Sequence, residues 1–245
     1  FHKKINLIIC NGENISHGRG MNEGHYLWLL NQGVNVITLG NHSWNQRSIY
    51  NIIDDAKCLV RPYNYKGDVP GKGYVTINYN GIKVTVFQML GQVFMNEEVD
   101  SPFEKTTELL EEIDSDIIIC DFHAESTSEK IAFGYAFDGK ITCVYGTHTH
   151  VQTADERILA NGTAYISDIG MTGPLEGVIG VKKDIIIETK PIPPIILNGL
   201  VEKLIIPSDA SFNIFFNGYF VLPANLSCLS SNASISSYLL ISSLT

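Results

Sequence analysis

"ITCVYGTHTHVQT", residues 141–153, joins an apolar run to a glycine and then to two histidines two residues apart, His148 and His150. The same grammar recurs along the chain. "INLIIC" (5–10) runs into "NGEN", "VNVITL" (34–39) into "GNHSW", "SDIIIC" (115–120) into "DFHAES", and "TAYIS" (163–167) into "DIGMTG". Continuous Val/Ile runs without in/out alternation are expected of strands covered on both faces.

Helical patterns fall between these runs. "EGHYLWLLNQG" (23–33) has apolar residues at helical spacing and a closing glycine, Gly33. "SPFEKTTELLEEI" (101–113) opens on Ser-Pro, and "STSEKIAFGYAF" (126–137) places Ser126 and Glu129 at capping-box spacing. Within 71–88, Asn-Gly between two alternating runs predicts a β-hairpin. Strands separated by helices, plus one hairpin, predict a mixed α/β layered fold. In such sheets ligands gather beyond the carboxyl ends of the strands, where these polar clusters fall.

Composition narrows the chemistry. The chain is 44% hydrophobic and 18% charged over 245 residues, which suits a globular protein long enough to fold without a structural metal. A formal charge of −9 argues against coating long nucleic acid, where lysines and arginines must neutralise many phosphates, so no stable nucleic-acid complex is expected. A small phosphate ester stays compatible, because bound divalent cations invert the local field. The five cysteines include no C-x-x-C pair, and Cys10, Cys120 and Cys143 lie in apolar runs, as expected of buried thiols in a reducing cytoplasm. No uncharged apolar run approaches the ~20 residues of a membrane span, so no membrane partner is expected.

The polar strand ends supply Glu13 and Asn14, Asn41 and His42, His123, and finally His148 and His150. Carboxylate, carboxamide and imidazole are ligand types that divalent metals accept. A bridging carboxylate with several imidazoles suits two metals ~3.5–4 Å apart, the arrangement used for phosphoryl chemistry. Each residue alone has a plainer reading: a lone histidine at a strand end, or Asn-His after a glycine, commonly serves a turn. Two histidines at i and i+2 would point the same way if both lay on a strand. His17, Trp44 and Arg61 are candidate substrate contacts; the plainer readings are a surface residue, a rim aromatic and an ion pair. Glycines in "GRG" (18–20) and "DIGMTG" (168–173) suit either a phosphate cradle or turns, and His2 and His25 read as surface residues.

"GNH", a later lone histidine and then G-x-H-x-H together resemble the calcineurin-like metallophosphoesterase superfamily. "NGEN", "GNHSW", "LVRPYNY", "DFHAESTSEK", "GTHTHVQTADERIL" and "DIGMTGP" resemble more closely its bacterial YmdB-type 2′,3′-cyclic-nucleotide phosphodiesterases, from about residue 5 to about residue 187. The resemblance implies a four-layer α/β/β/α sandwich, two divalent metal ions (iron ahead of manganese), a small nucleotide phosphodiester substrate and a homo-oligomer. It also implies that Glu13 bridges the metals, with Asn14 and His150 on the first. Asn41, His123 and His148 would hold the second, and His42 would donate the proton to the leaving alkoxide.

Two departures go with it. The family begins with a strand ending in Gly-Asp-x-x-Gly, whose aspartate binds the first metal, and no aspartate precedes Glu13 here. The expectation is therefore a domain over 1–187 lacking its first strand and helix, which holds the first metal poorly and is impaired in activity. Two metals per chain with ordinary hydrolysis would overturn it. Beyond it, 188–245 reads as an atypical tail, either an appendage or a segment foreign to the domain, with Asp209 the only charge in 204–245. Against the phosphodiesterase reading stand a broader phosphatase or nuclease on the same centre, and a regulatory or binding remnant.

Overall fold

The computed structural model describes residues 5–173, 176–188, 200–207, 213–216 and 219–223. The chain order opens with β1 (Ile5–Asn14), α1 (Glu23–Asn31), β2 (Val36–Thr38), a short 3-10 turn (Arg47–Asn51) and β3 (Leu59–Val60). Then come β4 (Tyr74–Tyr79), β5 (Ile82–Leu90), α2 (Pro102–Glu112), β6 (Ile117–His123), α3 (Thr127–Ala136) and β7 (Cys143–Thr147). The remainder is β8 (Arg157–Ile158), β9 (Ala164–Ile166), β10 (Gly177–Val178), β11 (Val181–Lys182), α4 (Lys183–Glu188), β12 (Leu200–Pro207), β13 (Asn213–Phe216) and β14 (Tyr219–Pro223). Expectations for His2 and for residues 224–245 lie outside the described residues.

Two sheets carry the architecture. One has the order β12-β1-β2-β3, the other β4-β5-β6-β7-β9-β8. Pairing is parallel from β1 through β3 and from β5 through β9, with β12, β4 and β8 antiparallel at the edges. Leu7, Ile9 and Val36 from the first sheet meet Val84, Val86, Ile117, Ile119, Cys143 and Tyr145 from the second in one buried cluster. The intervening residues face outward. Cys10, Ile37 and Leu59 pack under Tyr26, Leu29, Ile49 and Ile53, while Phe87, Cys120, Phe122 and Val144 pack under Leu109, Phe133 and Phe137. The result is the four-layer α/β/β/α sandwich. Burial on both faces is why the runs read as continuous rather than alternating.

Local signals explain the joints. Asn80 and Gly81 both take positive φ between β4 and β5, the geometry a two-residue Asn-Gly hairpin requires. Ser101 caps α2 and Ser126 caps α3, each accepting a backbone N–H three residues on. The second half of the expected capping box is absent. The Glu129 carboxylate accepts instead from the backbone N–H groups of Gln92 and Val93, fixing the loop after β5. Among the described residues, no helix is long and apolar enough to cross a membrane.

Strand ends run further than the apolar pattern suggested. β6 continues through Asp121 and Phe122 to His123, and β1 through Glu13 to Asn14. The face that carries the inter-sheet core therefore carries polar residues in its last positions: Asn11, Thr38, Gln88, Asp121 and Thr147, all buried. Gly146, in β7, lies so close to β9's exit that an added Cβ would collide with the Ser167 carbonyl oxygen. A Gly146→Ala protein is expected to lose stability by about 1–3 kcal/mol from overpacking alone; an unchanged melting temperature would show that the two strands separate more readily than this packing implies.

Candidate metal centre

The centre forms where the polar ends of both sheets meet. Glu13 and Asn14 end β1, Asn41 and His42 lie on the turn after β2, and His123 ends β6. His148 and His150 follow β7 rather than lying on it, and both hold left-handed backbone, φ 101° and 64°. The i, i+2 spacing therefore does not act through strand geometry. A turn delivers the two rings, at a strain cost of about 1–3 kcal/mol per residue. Gly40 permits the close approach of β2's exit, since an added Cβ there would lie 2.6 Å from His123 Cε1 and strike the Glu13 carboxylate.

Buried His123 is the hub. Its Nε2 lies 3.2 Å from Glu13 Oε1, 2.9 Å from Asn41 Oδ1 and 3.1 Å from His148 Nδ1. Its Nδ1 lies 2.8 Å from Thr147 Oγ1, which donates to Asp121 Oδ1 at 2.6 Å. His148 turns its other nitrogen, Nε2, to Glu125 Oε2 at 3.2 Å. Ligand atoms of Glu13, His123 and His148 all lie within 4.8 Å of one another. Alongside, Asn14 Nδ2 lies 3.0 Å from Glu13 Oε1 and 3.2 Å from His150 Nε2. The Asn14 carboxamide oxygen is buried with no hydrogen-bond partner among the described residues.

Electrostatics follow the geometry. Burial would raise the Glu13 carboxyl, but the neighbouring His123 and His42 hold it down at about 2. Burial works against protonating His123, yet the Glu13 carboxylate overrides it and raises His123 above its ordinary value. His148 is pressed down to about 3 by burial and by His123 beside it, and His150 is lowered chiefly by burial. Of the three histidines, His123 is thus the one that holds a proton most readily, opposite the Glu13 carboxylate.

A second layer fixes this arrangement, and sequence reasoning missed most of it. Asp121 Oδ2 accepts from Asn11 Nδ2 (3.0 Å), Thr38 Oγ1 (2.5 Å) and Gln88 Nε2 (3.0 Å). The turn bearing His148 and His150 is held by Asp168, which accepts from Thr149 N and Oγ1 and pairs with buried Lys130 at 2.7 Å. Lys130 also donates to the Thr147 carbonyl at 2.8 Å.

The remaining candidates stand apart from the hub. His42 donates its backbone N–H to Glu13 Oε2 at 3.1 Å, while its ring has no hydrogen-bond partner among the described residues. Trp44 stacks on Tyr50 with centroids 5.3 Å apart and lies 5.8 Å from Tyr65, whose hydroxyl donates to the Gly40 carbonyl. His17 is exposed, with its ring 6.5 Å from half-buried His25. His25 is more than a surface residue, since its Nδ1 lies 2.7 Å from buried Ser16 Oγ. Among the described residues Arg61 forms no salt bridge. Its guanidinium donates to the carbonyls of Pro62, Tyr63, Val69 and Pro70, which staples a loop.

Residues 2–191 match the model of the YmdB-like protein family. The chain belongs to that family. It is 46% identical over 187 residues to the 2′,3′-cyclic-nucleotide 2′-phosphodiesterase of Bacillus subtilis (strain 168), covering 76% of this chain and 70% of that protein. A putative phosphatase/phosphodiesterase of Mycoplasma pneumoniae is 43% identical over 187 residues, covering 74% of this chain and 66% of its own length. The chain thus spans about two thirds of these curated relatives. Among solved structures, a hypothetical protein from Thermus thermophilus superposes with a TM-score of 0.75 at 32% identity, covering 96% of this chain and 87% of that one. A phosphatase from Mycoplasma pneumoniae gives a TM-score of 0.73 at 37% identity, covering 82% and 76%.

The centre of this YmdB-like chain fits divalent metals on its own chemistry. Glu13 Oε1, Asn41 Oδ1 and His148 Nδ1 surround His123 Nε2, and none brings an obligatory proton. Such a crowd of lone pairs favours a cation in its midst, or a shared proton in its place. Asn14's unpartnered buried oxygen, which by itself costs about 1–3 kcal/mol, is accounted for in the same way.

Two outcomes are expected. Lys130→Met strands the Asp168 carboxylate without its buried cation and should cost about 3–5 kcal/mol in a denaturant titration, part of it recovered in Lys130→Met/Asp168→Asn. Metal must also compete with the His123 proton. The proton's hold is strong below the ordinary histidine value of 6.5 and is lost as pH rises through the raised His123 value. Manganese affinity measured by calorimetry should therefore climb with pH across that window, with proton release on binding; a flat profile would contradict it.

Proposed function

We propose that this chain hydrolyses small nucleotide phosphodiesters, 2′,3′-cyclic nucleotides first among them, at a two-metal centre. Phosphoric-ester hydrolysis is the chemistry of its family. The observation that carries the reading is the convergence of Glu13, Asn41 and His148 on the single nitrogen His123 Nε2. The name of the Bacillus subtilis relative supports the substrate class. In this reading residues 1–187 form the catalytic domain.

Glu13 would serve both metals, Asn14 and His150 would contribute to the first site, and Asn41, His123 and His148 would hold the second. Imidazole, carboxamide and carboxylate suit iron and manganese alike, with iron preferred from the resemblance. Two such cations supply Lewis acidity toward a phosphoryl oxygen and make water a stronger nucleophile at neutral pH.

The chain's own groups do the rest. Glu13 stays ionised in a buried setting and sets the negative charge of the site. His148 is kept neutral, its Nδ1 aimed inward because Glu125 accepts from its Nε2. His42 is anchored by its backbone to Glu13 and leaves its ring uncommitted, which suits a proton donor to the departing alkoxide. Trp44, on its aromatic cushion two residues away, suits the rim of a nucleoside pocket. We place the enzyme in the cytoplasm as a homo-oligomer acting on a small substrate.

A broader phosphatase is the second reading, favoured by the names of the Mycoplasma relatives. Rates on 2′,3′-cyclic, 3′,5′-cyclic and linear substrates separate the two: preference for the 2′,3′-cyclic ester supports the proposal, equal rates the alternative. His42→Ala should lower kcat about 10²–10⁴-fold with metal content unchanged. His148→Ala should instead remove one metal per chain by elemental analysis. Retained stoichiometry there would sink the ligand assignment.

A further inference from the structure

We infer that Thr147 and Asp121 are positioning residues that set the tautomer of His123, so that its Nε2 lone pair, not an N–H, faces the metal site. This rests on the metal-centre reading above and goes beyond its ligand set.

Each proton around Asp121 and His123 has one place to go. Asp121 lies wholly inside the protein and receives four donors: Asn11 Nδ2, Thr38 Oγ1 and Gln88 Nε2 on Oδ2, and Thr147 Oγ1 on Oδ1. Asn11 and Gln88 approach through amide nitrogens, which only donate. Burial raises the Asp121 carboxyl above its ordinary value, while its four donors, two of them amides that can only donate, favour the ionised form that accepts on both oxygens. The single hydroxyl proton of Thr147 is therefore committed to Asp121 at 2.6 Å. Toward His123 Nδ1, 2.8 Å away, the Thr147 oxygen has only a lone pair to offer. Nδ1 must carry the hydrogen, and in the neutral ring Nε2 must be bare. Bare Nε2 is the atom that Glu13, Asn41 and His148 surround.

The relay also explains a sequence choice. The position directly before His148 needs a hydroxyl facing inward from the last residue of β7, and register pairs it with His123 itself. A valine there would fill the same volume and keep the strand, but would leave Nδ1–H buried without an acceptor. The ring would then gain by moving its hydrogen to Nε2, against the incoming cation.

Thr147→Val and Thr147→Ser test this in the full-length chain. Long-range ¹H–¹⁵N spectra of histidine-labelled, metal-free protein read the tautomer directly, at a pH alkaline enough for a neutral ring, with His123 assigned by loss of its signal in His123→Asn. Wild type and Thr147→Ser should show hydrogen on Nδ1, and Thr147→Val hydrogen on Nε2. Calorimetric manganese affinity should fall about 10–100-fold in Thr147→Val and recover in Thr147→Ser. Wild type carrying hydrogen on Nε2 overturns the inference, whether or not the valine variant folds, as does a folded valine variant with unchanged tautomer and affinity. Wild type with the expected tautomer but no manganese uptake would count against the metal-centre reading while leaving the relay standing.

Discussion

A carboxylate removed entirely from water is costly unless its charge is fully solvated by the protein, and Asp121 is such a group. Its donors come from both sheets: Asn11 and Thr38 from one, Gln88 and Thr147 from the other. Meeting that demand pins the two sheets against each other at the end where their strands finish. Every metal-ligating candidate lies one short step further on. Glu13 is two residues beyond Asn11, His123 two beyond Asp121, and His148 one beyond Thr147. The precision of the centre is thus inherited from a polar stratum beneath it, and the apolar core only brings the sheets together.

The same stratum shapes the electrostatics. The centre sets a Glu13 carboxyl held low and two lowered imidazoles, His148 and His150, beside one raised imidazole, His123. The buried Lys130–Asp168 pair sits behind the histidine turn and serves its geometry. Buried ion pairs add little net stability, so its value lies in the shape it imposes.

Much of this was legible in the residues. Val/Ile runs, Asn80-Gly81, and the serines at 101 and 126 announce strands, hairpin and helix starts through local chemistry, and the polar clusters announce the residues that gather at the strand ends. What stayed hidden has a common cause. Asp121 sits where the apolar run appears to stop, so it reads as loop, although the strand continues and turns it inward. Its partners are 26 to 110 residues away in the chain, and no local pattern records that register. Glu125, Lys130 and Asp168 escaped for the same reason: each is an ordinary polar residue until the fold gives it a neighbour. The loop role of Arg61 was hidden too, since the five donors of a guanidinium serve a carbonyl-lined loop as readily as an anion.

The left-handed backbone at His148 and His150 sets stability against chemistry at two positions flanking Thr149. Glycine would relax both and relieve the strain, and the strand pairing of β7 would not notice the change. The sandwich therefore has a downhill route toward a sturdier, metal-blind descendant. A copy of this fold released from its task would be expected to show its first losses in that turn, long before the core recorded any change.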